Sequence, residues 1–382
     1  MSILPIVLVV ASIQGHVIAQ NCQQGVCYGG KFSLDEGIKG QHLVGFSYRN
    51  LSTVRHAQGC FSACANECLC RSYQLSRKGC ELLEEDKDSK TLEPNSDYIY
   101  FDLQQKVVPS ASYLANPSVC RNGCCLSKPC LNGGTCTEKC DHPKTKFVCN
   151  CPANASGKQC EKFWPKSCHD LYKIYAPPKP GVHTIFKNDN KTKFSVYCDF
   201  EPPTKAWSLI ESYALKHNLD FQRKSFLDNY PVDETSPDNH EKYRLSRDKM
   251  QHLRSTAVSY RVTCQFLKRK DAVKSRDYLE GKLSSFDIIE EESLTDADFC
   301  KTVEYVNIEG DECQNCTLAL FQKRGSWHLH SEPREGNCDM KPPGYISASN
   351  EAFGYYNPGL PTFTCASEPD ATTEYWLGHV GD

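Results

Sequence analysis

The chain opens on an apolar run, Ile3 to Ile13. It is too short to cross a bilayer as a helix, which needs about 20 apolar residues. Ala19, with Val17 two places before it, follows as a small-residue cleavage pattern, and the expectation is a signal peptide over residues 1–19. Further on, "HLVGFSYRNL", "RSYQLS" and "DYIYFDL" read as strands. In the last of them Ile99, Phe101 and Leu103 share one face, and Tyr98 and Tyr100 the other. His56 to Leu69 is a helix candidate, with Cys60, Cys64 and Cys68 four residues apart on one face. No later stretch reaches about 18 apolar residues, and "EYWLGHVGD" is no hydrophobic tail, so a released, unanchored product is expected.

Cysteine changes this picture most. All 24 cysteines follow the predicted cleavage point, and behind a leader that number predicts a disulfide framework in a secreted protein. They form three blocks: seven from Cys22 to Cys80, nine from Cys120 to Cys160 and eight from Cys168 to Cys365. Two odd blocks imply a bridge that leaves each of them, and the economical arrangement joins the first to the second. The stretch between them, residues 104–119, lacks cysteine, carries two prolines and reads as a linker. Sequons at Asn50, Asn154, Asn190 and Asn315 agree with secretion.

The expected class is therefore a multidomain, disulfide-rich α+β chain. The helix with cysteines at four-residue spacing, then "CRSYQL" and "GCELLEED", resembles a PAN/apple module over residues 22–103, a sheet with one helix. That resemblance implies bridges Cys60–Cys80 and Cys64–Cys70, with Cys68 as an extra. The second block, residues 120–161, resembles an EGF-like β-hairpin module in "LNGGTC", "FVCNC" and "PANASGKQC". The likeness implies Cys125–Cys136, Cys130–Cys149 and Cys151–Cys160, and it leaves Cys120, Cys124 and Cys140 over. No carboxylate precedes the first cysteine in "CRNGC", so this module is read as calcium-free. Residues 162–382 open with "SCHDLYKIYAPPKPGVHTI", "FSVYCDF" and Trp207, similar to a fibrinogen C-terminal domain, and diverge from it after about residue 210. The likeness implies Cys168–Cys198 and an α+β domain. The pairings of Cys22, Cys27, Cys68, Cys120, Cys124, Cys140 and the six cysteines after Cys198 stay open. In its order of modules the chain resembles secreted cnidarian mosaic proteins, among them skeletal organic matrix proteins of stony corals.

Candidate chemistry is sparse. A net charge of −3 argues against nucleic acid. Cys313-Gln-Asn-Cys316 is read as a structural bridge in a surface turn that carries Asn315, and vicinal Cys124 and Cys125 as bonded to different partners. His328 and His330 could form a metal pair, but an exposed polar strand is the preferred reading. Asp287, Glu290, Glu291, Glu292, Asp296 and Asp298 are a candidate weak calcium site, read first as a solvated acidic loop; "ELLEEDKD" is a milder acidic run. The aromatic tail "FGYYNPGLPTF" is read as core. No catalytic motif stands out, and no cofactor is expected. The leading function is a secreted extracellular matrix or adhesive structural protein, of mineral-associated type by the coral resemblance. Its partners would be matrix proteins, glycans or a mineral surface; the alternative is a soluble glycan-recognition protein. The secreted chain is expected to begin at Gln20, and N-terminal sequencing that returned Met1 would refute the leader.

Overall fold

The computed structural model describes residues 16–18, 27–108, 122–139, 142, 144–174, 178–268, 276–293, 299–333, 336–342, 351–356 and 362–380. The chain divides into two compact units, Met1–Phe163 and Trp164–Asp382. The predicted cleavage point at Ala19, together with Cys22, Cys120 and Cys140, lies outside the described residues.

The strands of the first unit are β1 (His16–Ile18), β2 (Cys27–Lys31), β3 (Ile38–His42), β4 (Ser47–Leu51), β5 (Ser72–Ser76), β6 (Gly79–Leu83), β7 (Glu93–Asp102), β8 (Gln105–Val108), β9 (Thr135–Glu138), β10 (Phe147–Asn150), β11 (Ala155–Ser156) and β12 (Lys162–Phe163). β3, β7, β5, β6 and β4 form a five-stranded sheet in that order, and α1 (Ala57–Asn66) packs on it. Alternation explains both faces. Phe101 stacks on Tyr73 at 5.1 Å, beneath Phe61 of the helix, while Tyr100 packs with Leu43 and Leu83 on the other side. The His56 ring caps α1 by accepting a hydrogen bond from the Gly59 amide at 3.0 Å. A Cβ at residue 59 would lie 2.6 Å from that ring, so a side chain there would push the capping ring aside. Cys60–Cys80 and Cys64–Cys70 staple the helix to the sheet.

Two expectations change here. Cys68 does not share the helix face, because α1 ends at Asn66 and the chain turns out of it at Glu67. The predicted linker begins as a strand: β8 pairs antiparallel with β2, which in turn pairs with β1. Residues 122–163 form the β9–β10 hairpin and the β11–β12 pair, held by Cys125–Cys136, Cys130–Cys149 and Cys151–Cys160. Gly133 adopts φ +76°, and a Cβ on Gly134 would sit 2.6 Å from the Cys160 sulfur.

The second unit holds β13 (Gly181–Phe186), β14 (Lys193–Glu201), β15 (Lys205–Ala214), β16 (Lys242–Arg244), β17 (Ser259–Cys264), β18 (Tyr278–Lys282), β19 (Cys300–Ile308), β20 (Asp311–Lys323), β21 (Trp327–Ser331) and β22 (Thr372–Val380). These make one ten-stranded sheet, ordered β13-β14-β15-β22-β17-β18-β19-β20-β21 with β16 beside β15. Helices are short: α2 (Cys168–Ile174), α3 (Asn218–Phe221) and α4 (Arg247–Arg254). The expected α+β balance therefore becomes a mostly β unit. In its central strands residues on both faces are buried whatever their polarity, so alternation there does not mark a wet face. β17 makes the point: Ser259, Arg261 and Thr263 alternate with Tyr260 and Val262, yet all six residues of the strand are buried.

Arg261 lies between the rings of Trp207 and Trp376, at 4.8 and 4.5 Å, and donates to Asp199 (2.7 Å) and Glu201. A guanidinium stacked on aromatic rings and matched by carboxylates is a buried charge that the core tolerates. Cys168–Cys198 joins α2 to β14, Cys264–Cys365 joins β17 to the segment before β22, and Cys300–Cys338 closes the β19 end. Cys313–Cys316 bridges within β20, so Asn315 stands on an exposed strand and not in the expected surface turn. Phe353, Tyr356 and Phe363 of the aromatic tail are buried in the core; residues 357–361 lie outside the described residues.

Glu374 on β22 is fully buried, and burial raises its pKa to about 7 despite hydrogen bonds from Thr372, the Phe266 amide and Thr263. Between about 4.5, its ordinary value, and 7 the folded chain holds a proton that the unfolded chain has released, so stability falls as pH rises through that window. Glu374→Gln removes the charge. The variant is expected to exceed the wild type by up to about 3 kcal/mol at pH 8, with the gap closing by pH ~4.5. Thermal unfolding followed across that range checks this, and a variant that is weaker at pH 8 than at pH 5 contradicts it.

Candidate functional site

The most developed site of the first unit lies where its five-stranded module meets the hairpin module. α1 leaves carbonyl groups unpaired at its C-terminus, as every helix does. Lys146, just before β10, brings its ammonium to them, donating to the Ala65 carbonyl at 3.1 Å and the Glu67 carbonyl at 2.9 Å. A cation at a helix C-terminus also suits the helix dipole. Lys146 is only 3% exposed, and burial, partly offset by Glu67, lowers its pKa to about 8. Next to this contact Cys68 bridges Cys124, so the chain itself contains the link between the two odd blocks. Cys125 bonds Cys136, and the vicinal cysteines have different partners.

Ion pairs widen the junction. Lys144 donates to Asp102 at 2.6 Å and reaches Asp86 at 3.5 Å; Lys158 pairs with Glu85; Arg71 donates to Asp86 at 3.1 and 3.2 Å. Burial alone would raise Asp86 and Glu85. Lys144 and Arg71 instead hold Asp86 below the ordinary carboxylate range, and Lys158, with help from Ser89, does the same for Glu85. The "ELLEEDKD" run, expected as a mild solvated stretch, thus places Glu85 and Asp86 inside a junction. Between the modules opens a groove of about 260 Å³, with Leu69, Arg71 and Glu84 on one wall and Lys144, Val148 and Lys158 on the other.

The other candidates separate. Asp287 is buried and receives Arg254, with a 2.7 Å hydrogen bond; Glu290 is paired to Arg247 at 2.8 Å and accepts from Gln251. The Arg324 amide donates to Glu292 at 3.3 Å, Glu291 is exposed, and Asp296 and Asp298 lie outside the described residues. Arginines pair with Asp287 and Glu290 of this run, and among the described residues no three metal-ligating side chains gather. His328 and His330 are not on an exposed strand: both are buried. His328 lies 2.5 Å from Glu211, which is also paired with Arg244. Against the burial that would raise it, His328 and Arg244 keep Glu211 below its ordinary pKa. All three side chains have zero exposure, so this cluster is part of the core. Of the sequons, Asn50 and Asn315 are exposed; Asn154 and Asn190 are half-buried, and Asn190 accepts a hydrogen bond from Lys166.

Sequence reading missed Arg71, Lys144, Lys146 and Lys158. The available signal was "KTKFVCNC" in one odd block facing an acidic run in the other.

A PAN domain model matches residues 36–106. That segment is the five-stranded sheet with its helix, so the class of the first module is a PAN domain. The versican core proteins of Mus musculus and Rattus norvegicus are each 40% identical over 58 residues. Those matches cover 15% of this chain and 2% of each versican chain. The PAN domain, the many disulfides and the versican similarity fit an extracellular protein. No helix among the described residues is long and apolar enough to cross a membrane.

The buried ammonium of Lys146 gives the junction a pH dependence. Below about pH 8 the folded chain carries a desolvated charge; between about 8 and 10.5 the folded chain has lost a proton that the unfolded chain keeps. Stability of the first unit should therefore rise with pH, by about 2 kcal/mol between pH 7.5 and 9.5. Lys146→Met should lack that rise. Amide exchange of α1 and β10 measures it, and equal slopes for both proteins would refute the assignment.

Proposed function

We propose that the chain is an extracellular matrix or adhesive structural protein that works by binding, without catalytic turnover. The observation that carries this reading is the bracing of the PAN domain to the neighbouring module by Cys68–Cys124, Lys144, Lys146 and Lys158. Such bracing fixes two surfaces at a set spacing, which suits a scaffold better than a domain on a free tether. On this reading residues 120–161 are an EGF-like spacer, and the second unit is a divergent fibrinogen C-terminal-like domain that offers a further binding face. A mineral-associated matrix is the finer setting we assign. PAN domain and versican similarity support the matrix reading as a class.

Weak contacts on linked modules add through effective concentration. Immobilised full-length protein should retain insoluble extracellular matrix, and Cys68→Ser/Cys124→Ser should retain it roughly tenfold less well, since freed modules lose their fixed spacing. Binding to matrix-coated surfaces at matched protein density decides this. If one soluble sugar abolishes all retention, the protein is a soluble glycan-recognition protein instead.

A further inference from the structure

We infer that the stacked rings of His169 and His379 form an acid-sensitive latch that holds α2 against the sheet of the second unit. The inference goes beyond the matrix-binding reading and does not rest on it.

α2 packs on β14, β15 and β22. Cys168, its first residue, is bridged to Cys198 on β14. Tyr172 donates to the Pro203 carbonyl at 2.5 Å and stacks on Phe200. Between these two positions in the helix, His169 lays its ring on that of His379, near the end of β22. The ring centroids are 3.8 Å apart and the planes 30° from parallel. Two neutral imidazoles stack well; two charged ones repel. Nδ1 and Nε2 of His169 and Nδ1 of His379 are buried, and none has a hydrogen-bond partner among the described residues. A cavity of about 10 Å³ borders the stack, lined by both rings with Ser167, Ser208 and Thr256. That is room for one water at most, so a proton added to either ring is poorly solvated.

The surrounding charges do not welcome that proton either. On α2, Lys173 stands four residues beyond His169, one turn along the same face, and opposes a second cation. Asp170 favours the proton, but its Oδ2 already accepts the Lys166 amide at 2.8 Å. β22 offers His379, itself a base. β14 meets the helix through Cys198 and Phe200. β15 and the turn after α4 present Ser208, Thr256 and Ala257, which do not titrate. Burial first, then His379 and Lys173, push His169 from 6.5 down to about 4, with Asp170 opposing them. The docked helix therefore refuses a proton that the undocked one takes up below about pH 6.5. Docking is fully favoured above that value and weakens as pH falls towards 4. The Cys168–Cys198 bridge keeps the released helix tethered to β14, so the opening stays local.

Glu374 stabilises the same unit as pH falls, so global unfolding would mix two opposed effects. The test is therefore local: amide exchange of α2 in the full chain at pH 7.5 and pH 5, corrected for intrinsic rates. In the wild type the opening equilibrium of α2 should grow by about tenfold on acidification, the partial exposure of the ring allowed for. His169→Phe keeps a stacked ring and removes the proton site, and its α2 should show no such response. An equal response in both proteins, or none in the wild type, would overturn the latch. Nuclear magnetic resonance titration of the wild-type imidazoles gives an answer even where the variant does not fold. His169 should titrate well below 6.5, and an ordinary midpoint would overturn the inference. So would tight zinc binding at the two rings with α2 protected at both pH values, which would make the pair a metal site instead.

Discussion

A module without a core has to borrow rigidity, and the junction around Lys146 is where it does so. Among the described residues of 122–160, only Cys124, Phe147, Ala155 and Cys160 are buried hydrophobics, with Lys146 buried beside them. So small a set cannot stabilise some forty residues, and bridges replace the missing core. Internal bridges fix the module's shape but not its orientation. Orientation comes from Cys68–Cys124, from an ammonium seated on two helix carbonyls and from lysines matched to buried carboxylates. Remove the covalent link and the ion pairs would have to hold two surfaces against water alone, where such pairs contribute little.

The second unit solves the opposite problem. Its sheet is wide enough to enclose Trp207, Trp376 and a run of tyrosines, so apolar area is abundant. It carries charge inside: Arg261 with Asp199 and Glu201, and Arg244 with Glu211 and His328. Breaking one member of such a set leaves an unpaired buried charge, which is far more destabilising than the pair is stabilising. The result is specificity of register. β15, β17 and β22 cannot slip without separating Arg261 or Glu211 from their partners.

What the sequence disclosed follows from the range over which each signal acts. Cysteine spacing is local and helps carry the module resemblances, which imply Cys60–Cys80, Cys125–Cys136 and Cys168–Cys198; the structure contains these bridges. An odd count in each of two blocks is global, and it pointed to a link without naming Cys68 and Cys124. Alternation makes β7 legible, with Tyr100 and Phe101 packed on opposite faces; β21 also reads as a strand but with its polar face turned outward, because burial of polar residues leaves no local mark. His328 looked like a surface residue for that reason, since nothing near it in sequence announces Glu211, 117 residues away. The groove was hidden on the same ground. Arg71 and Lys158 mean little apart, and only the fold brings them to one cavity.

The two arrangements of charge differ in what they can do. In the second unit the arginines and their acids are sealed together, so the field of each is cancelled within the core and no ligand reaches it. In the first unit Asp86, Asp102 and Glu85 are largely buried while Arg71, Lys144 and Lys158 stay partly exposed, and the exposed Asp88 also reaches Lys144 at 3.6 Å. Burial of the anion is what makes the difference. Asp86, fixed by Arg71, Lys144 and Ser89, stays behind the bases that pair with it. A junction that substitutes for a missing core thereby also holds the walls of an open groove in place.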